Sequence, residues 1–249
     1  MVMKRKRTSP LLAAILINSV YEMRNYPIVL INTVLSPLSF LLLITFVSRG
    51  TLLGVGVLGG LIMSMFSSGM SLQSDLSHLK NDFKLQDMVV SSPTPSLVYL
   101  VGMATSELIY SLPAIVILVV LTGIFVHPGL IEAFELLAVF LAMFSTSIAI
   151  GFMLSTISKD IVQSFAFGRL LSTLFTTIPP VYYPITYIPL PFRYIAYLSP
   201  TTYAAEIAQN VGGYLHLSQA TVITDWAVLL AATGVILFIA SRKTRWRES

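Results

Sequence analysis

Apolar residues fall along this chain in long blocks separated by short polar breaks. Residues 25–48 carry no charge and end at Arg49-Gly50, and residues 51–74 carry none either. A polar, charged stretch follows at 75–92. Residues 96–126 are apolar but for Glu107. The turn signal His127-Pro128-Gly129 leads to a fourth apolar block at 136–158, whose helix begins somewhat upstream. Lys159-Asp160 is a very short break before 161–178, and 221–240 closes the series ahead of a charged tail that starts at Arg242. A helix needs about 20 mostly apolar residues to cross the hydrocarbon of a bilayer. The pattern therefore predicts six transmembrane helices.

Two segments do not fit the block rhythm. Near the start, Ser9 suits a helix cap and Pro10 a first helical position. Leu11, Leu12, Ile15, Leu16 and Val20 form one stripe, with Asn18, Glu22 and Asn25 on or near the other face. This predicts an interfacial helix over 8–26 lying on the membrane. Lys4-Arg5-Lys6-Arg7 ahead of it resembles the start of a signal peptide. The apolar core is short and lacks a clear small-residue cleavage site, so an uncleaved segment is expected. The second segment, PPVYYPITYIPLPFRYIAYLSP at 179–200, holds six prolines and five tyrosines. Prolines remove amide donors and break a helix, and tyrosines favour the level where apolar meets wet. Two readings stand: an interfacial loop with an aromatic belt, or short helices that re-enter the membrane under protein cover. On the second, 192–198 and 201–211 form a helical hairpin with Ser199-Pro200 at its bend, and Gly212-Gly213 releases the chain towards the last span.

Composition agrees with the block pattern. The chain has 249 residues, 55% hydrophobic and 10% charged, with mean hydropathy +0.83, whereas soluble domains carry about 25% charged residues. A pI near 9.3 invites a nucleic-acid partner. The placement of the fifteen Lys and Arg residues argues otherwise. Only Arg49 and Arg193 fall on the side opposite the termini, and Arg169 falls inside the fifth block; the rest share the side of both chain ends. That asymmetry predicts cytoplasmic termini in the cell membrane, with 179–213 outside, and no nucleic acid.

Several chemistries are missing. There is no cysteine, hence no disulfide, thiolate metal site or cysteine nucleophile. No G-x-x-x-x-G-K-[ST] occurs, so the chain lacks the usual cradle for ATP phosphates. His78, His127 and His216 have no paired metal-ligand spacing. Ser67–Ser71, SSGMS, suggests a serine nucleophile only superficially; small residues in a membrane helix serve packing, as does Gly56-x-x-x-Gly60. No metal site, cofactor or catalytic residue is expected in this chain.

Three stretches carry a family resemblance. SDLSHLKNDFKLQDMVVSSPTPSLVYLVG at 74–102 is similar to the acidic-basic cytoplasmic helix, Thr/Ser-Pro and third span of the ABC-2 type exporter permeases. Asp82 stands where the family often has glutamate, Asp87 at a second acidic place and Ser92-Pro93 at the Thr-Pro; Lys84 departs from the usual glycine. IGFMLSTISKDIVQS at 150–164 resembles the family's tight turn between spans four and five. Tyr182, Tyr183, Pro184, Pro189, Leu198, Pro200 and Tyr203 match the family's external hairpin. The resemblance covers nearly the whole chain, in order.

It implies an all-α, polytopic membrane protein: one ABC-2 type transmembrane domain over 1–249, with six transmembrane helices, an N-terminal interfacial helix (8–26) and an external re-entrant hairpin (179–213). It implies pairing with a second permease, expected to be identical, and docking of two ATP-binding subunits that hold ATP and Mg. Membrane lipid is the remaining partner. The segment 75–92 then reads as the coupling helix. Leu76, Leu79, Phe83 and Leu85 could bury one face in the ATPase while Asp75, Asp82, Lys84 and Asp87 stay polar. Lys159 and Asp160 would make a smaller contact. Glu107 and Arg169 are ionisable groups inside the bilayer, which usually face protein or a watery cavity. Arg169, Ser172, Thr173 and Thr176 share a helix face. Either this stripe lines a pathway, or Glu107 and Arg169 pair to hold two helices. Tyr182, Tyr183, Pro184, Pro200, Tyr203 and Glu206 are the hairpin's candidate residues. The functional expectation is export of a drug-like, lipid or glycolipid substrate. An intramembrane enzyme and a membrane protein without transport activity are the alternatives.

Overall fold

The computed structural model describes residues 15–25, 27–81, 96–158 and 160–243. Helix makes up 84% of the structure, and no strand occurs among the described residues. A π-helical turn, Leu16–Tyr21, runs into the short α1, Glu22–Asn25, and the turn packs on α4. The long helices follow in the order of the apolar blocks: α2 (Pro27–Val47), α3 (Leu53–Asn81), α4 (Ser96–Phe125), α5 (Leu130–Ile157), α6 (Ile161–Thr177) and α9 (Gln219–Lys243). Between α6 and α9 lie an irregular stretch with a 3-10 turn, Ile185–Tyr187, and two short helices, α7 (Leu190–Ala196) and α8 (Pro200–Val211).

The turns are chemically simple. Arg49 and Gly50 take positive φ between α2 and α3, and His127 does so between α4 and α5. At α5 the Glu132 carboxylate reaches back to the Gly129 amide at 2.6 Å. Asp160 caps α6 by accepting from the Gln163 amide at 2.7 Å, as short polar side chains do at a helix start.

Among the described residues, four helices contain stretches long and apolar enough to cross a membrane: Leu53–His78, Val101–Phe125, Leu130–Ile157 and Gln219–Ala240. The other two long helices, α2 and α6, are 21 and 17 residues long. Large apolar side chains cover the outside, including Ile28, Leu35, Phe46, Val116, Val120, Ile131, Phe134, Leu230 and Phe238. Such a surface is stable only against lipid or another apolar partner.

α3 forms the centre, packed on α2, α4, α5, α6 and α8. Its neighbours come close because small residues line it. A Cβ on Gly69 would strike Ser147 of α5, one on Gly56 would lie 2.9 Å from Leu41 of α2, and Gly151 of α5 faces the Gly69 carbonyl. Leu58, Leu61, Ile62 and Phe66 of α3 meet Val139, Phe140 and Met143 of α5 in the main core.

One expected boundary shifts. Residues 75–81, assigned to a separate cytoplasmic helix by their charge, are the continuation of α3. Leu76 and Ser77 are buried there, so local packing overrides the change in polarity. The rest of the coupling segment, with Asp82, Phe83, Lys84 and Asp87, lies outside the described residues, as do Lys159 and the first part of the interfacial segment.

Candidate functional site

At one end of the bundle the proline-rich stretch folds over the start of α3. Its prolines strip out amide donors, so its carbonyls need other partners. Side chains supply them. Gln209 of α8 donates to the carbonyls of Pro180 at 3.0 Å and Tyr183 at 3.3 Å. Arg193 of α7 donates through Nε to Ile188 and through Nη2 to Thr186, at 2.7 and 2.8 Å. Thr201 donates to the Phe175 carbonyl at 3.2 Å, and Thr202 to that of Ala196. Irregular backbone sheltered in this way can sit among apolar groups without open polar atoms. Val181 and Tyr182 are buried. Tyr182 stacks on Phe40 of α2 with ring centroids 5.5 Å apart, and a Cβ on Gly59 of α3 would collide with the Val181 carbonyl.

α7 and α8 form a helical hairpin, with Ser199 as N-cap and Pro200 at the first turn of α8. Pro200, Thr201, Thr202 and the run from Ala204 to Gln209 are buried, whereas Leu190, Tyr194 and Leu198 of the α7 arm are exposed. Beside α7 lies a cavity of about 570 Å³, lined by Ile178, Tyr183, Tyr187, Ile188, Pro189, Phe192 and Ile195. It is a shallow apolar hollow, open to the surface.

The hairpin's acid, Glu206, is 2% exposed and accepts from the Tyr197 hydroxyl at 3.2 Å. Burial and then the charge of Asp225 push its carboxyl up to about 7; the Tyr197 hydrogen bond and Arg193 pull the other way. Burial and the Glu206 charge push the Tyr197 phenol up to about 12. Tyr203 donates to the Tyr197 carbonyl at 2.9 Å, and its phenol is raised by burial, then by Asp225 and Glu206.

At the other end, α6 is tied to α3. Gln73 of α3 donates to the carbonyl of Ser164 and, at 2.6 Å, to its hydroxyl. The Ser164 and Ser77 hydroxyls lie 2.5 Å apart. Gly168 makes room: a Cβ there would run into the Gln73 amide. Asp75 is half-buried beside this knot and Asp160 is exposed at the head of α6.

The structure brings some expected residues together and separates others. Tyr182, Tyr183, Pro184, Pro200, Tyr203 and Glu206 all belong to the hairpin assembly. Glu107 and Arg169 differ in setting: Glu107 is 5% exposed on α4, and its carbonyl accepts from Ser68 at 3.0 Å. Arg169 is exposed on α6. The reason is helical phase, since Arg169 and Thr173 point away from the bundle. Ser172 and Thr176 are half-buried, and the Thr173 and Thr176 hydroxyls donate to carbonyls of their own helix.

Sequence reasoning missed Gln73, Arg193, Gln209 and Asp225. Asp225 had a usable signal, an acid inside an otherwise apolar block. Gln209 and Arg193 had none, because their partners are carbonyls exposed only by the fold.

A helical integral membrane protein, with a sheltered hairpin at one end and a charged segment beyond its central helix, is thus defined. The model of the ABC-2 type transporter family matches residues 10–211. That is about four-fifths of the chain, and the protein belongs to this family. It is accordingly a multi-pass permease subunit of an ABC transporter, a membrane component whose family works with an ABC ATP-binding partner. No curated protein matches the chain significantly.

Proposed function

We propose that this chain is half of an ATP-driven exporter of the cell membrane, working as a homodimer with two ATP-binding subunits. Both termini are cytoplasmic, α2, α3, α4, α5, α6 and α9 span the membrane, and the α7–α8 hairpin re-enters the outer leaflet. ATP and Mg belong to the partner. The observation that carries the reading is α3. It is one uninterrupted helix of 29 residues, about 43 Å long at about 1.5 Å per residue. Its first turns lie under Val181 of the hairpin and its last run towards the charged segment at 82–92. A push delivered at the docking end reaches the hairpin with no intervening loop. Asp75, Leu79, Asp82, Phe83, Lys84 and Asp87 form the main contact with the ATPase, and Lys159 with Asp160 the lesser one.

Substrate leaves at the hairpin end. The apolar cavity beside α7, open among exposed Tyr187 and Phe192, favours a substrate with an apolar part, drug-like, lipid or glycolipid. Co-expression with the ATP-binding subunit tests the docking. Phe83→Asp places a charge in the contact and should abolish co-purification and ATP-driven flux while leaving insertion intact; unchanged co-purification would refute the docking site.

The topology has its own test, in a chain without native cysteine. Single cysteines at exposed Tyr187 and Gly213 should react with an impermeant reagent from outside, and one at Ser199, 9% exposed, should be protected. Labelling at Ser199 equal to that at Gly213 would reduce the hairpin to a surface loop. Labelling of Tyr187 only from the cytoplasm would invert the topology.

A further inference from the structure

We propose that Glu206 of α8 and Asp225 of α9 form a proton-binding site that ties the hairpin to the last long helix. The two side chains are 2% and 3% exposed on helices packed together. Asp225 Oδ2 is fully buried and has no hydrogen-bond partner. One turn beyond Glu206, the Gln209 Oε1 is also buried and unpartnered, because the amide nitrogen is spent on Pro180 and Tyr183. Acceptors therefore outnumber donors. Among the described residues the Tyr197 hydroxyl is the donor given to Glu206, and the Tyr203 hydroxyl is turned to a carbonyl instead.

The surroundings supply little counter-charge. Arg193 of α7 is engaged by the carbonyls of Ile188 and Thr186 and is the least of the influences on Glu206. Tyr197 and Tyr203 are neutral. From α5, which packs on both α8 and α9, the acids Glu132 and Glu135 are exposed at its start. α3 brings no charged residue to this end; its Asp75 lies at the far one. His216, in the α8–α9 connection, is exposed. Two like charges placed here, with Arg193 as a weak counter-charge, repel at low dielectric, and one proton on the pair removes that repulsion. The exposures leave little room for an organic cation, and the proton is the ligand that fits.

The direction of the effect follows from the carboxyl of Glu206, which is raised from 4.5 to about 7. Its contribution to stability is full below 4.5 and is lost as pH rises through about 7. Acid holds α8 against α9, and alkali loosens the hairpin. This does not depend on the direction of transport or on the substrate.

The test is thermal unfolding of the purified full chain in detergent at about pH 5.5 and about pH 8.5. The wild-type midpoint should fall by about 3 °C or more between them. Glu206→Gln and Asp225→Asn should each remove at least half of that fall, and at the higher pH should match or exceed the wild type. An unchanged fall in both variants overturns the site. If only one variant folds, it reads the same pair; if neither folds, a wild-type midpoint independent of pH overturns the proposal. Sodium or calcium chloride added at the higher pH supplies a further arm. Stabilisation of the wild type but not of a variant would make the ligand a metal ion and overturn the assignment of a proton.

Discussion

α3 and α9 are both long apolar helices, yet 89% of the apolar stretch of α3 is buried and only 17% of that of α9. The buried helix is the less apolar of the two. In a soluble protein the order would be reversed. In lipid, hydrocarbon outside is as apolar as leucine inside, so hydrophobicity does not choose the centre. Close approach does. α3 carries Gly54, Gly56, Gly59, Gly60 and Gly69 with Ser64, Ser67, Ser68 and Ser71, which bring partner backbones near and offer short hydroxyls. Ser111 of α4 donates to Ser68 at 2.9 Å, and the Ser147 hydroxyl of α5, which donates at 2.9 Å to the Phe144 carbonyl of its own helix, lies 3.4 Å from the Met65 carbonyl. α9 turns Ile223, Leu230, Val235 and Phe238 outward, and it meets α5 and α8 along one side only.

The largest expected effect breaks this contrast at its tightest point. Gly69→Leu forces a side chain into Ser147 and towards the Ile148 amide 2.8 Å away. Backbone cannot yield as a flexible side chain does. The cost should reach or exceed the upper part of the usual overpacking range of about 1–3 kcal/mol. The same change at Gly234 of α9, where nothing lies within 4 Å, should leave stability within about 0.5 kcal/mol. Unfolding of the two variants in mixed micelles makes the comparison. Equal losses would mean that α9 is covered in the assembled protein as fully as α3.

Much of this contrast was legible in the sequence. Apolar blocks located the long helices, Arg49-Gly50 and His127-Pro128-Gly129 located turns, and Ser199-Pro200 located the hairpin bend, because proline suits the first turn of α8. The Gly56/Gly60 pair read correctly as a packing device. Two features were not legible. The end of α3 runs past the polarity boundary at Ser74 because Leu76 and Ser77 find partners on neighbouring helices, which a hydropathy block does not encode. The relation of Glu107 to Arg169 depends on the rotation of α4 and α6 about their axes, and block counting says nothing about rotation. Asp225 was hidden by the apolar residues around it, although an acid in such a place marks either a partner or a ligand.

The smallest effect probes the hold of α5 on α9. Thr146 and Thr233 face each other with hydroxyl oxygens 2.8 Å apart. Each hydroxyl also lies 2.8 Å from a carbonyl of its own helix, Ala142 and Leu229 respectively. Two hydroxyls own two protons, and three hydrogen bonds would need three. Any bond between the helices is therefore taken from a bond within one of them, and little net energy is left for association. Thr146→Val and Thr233→Val, singly and together, should give a coupling energy at or below about 0.6 kcal/mol, the average for such pairs in membranes. A coupling above about 1.5 kcal/mol would exceed that average by far. It would show that this one contact anchors α9, and that the exposed helix is held by polar chemistry as firmly as the buried one is held by close packing.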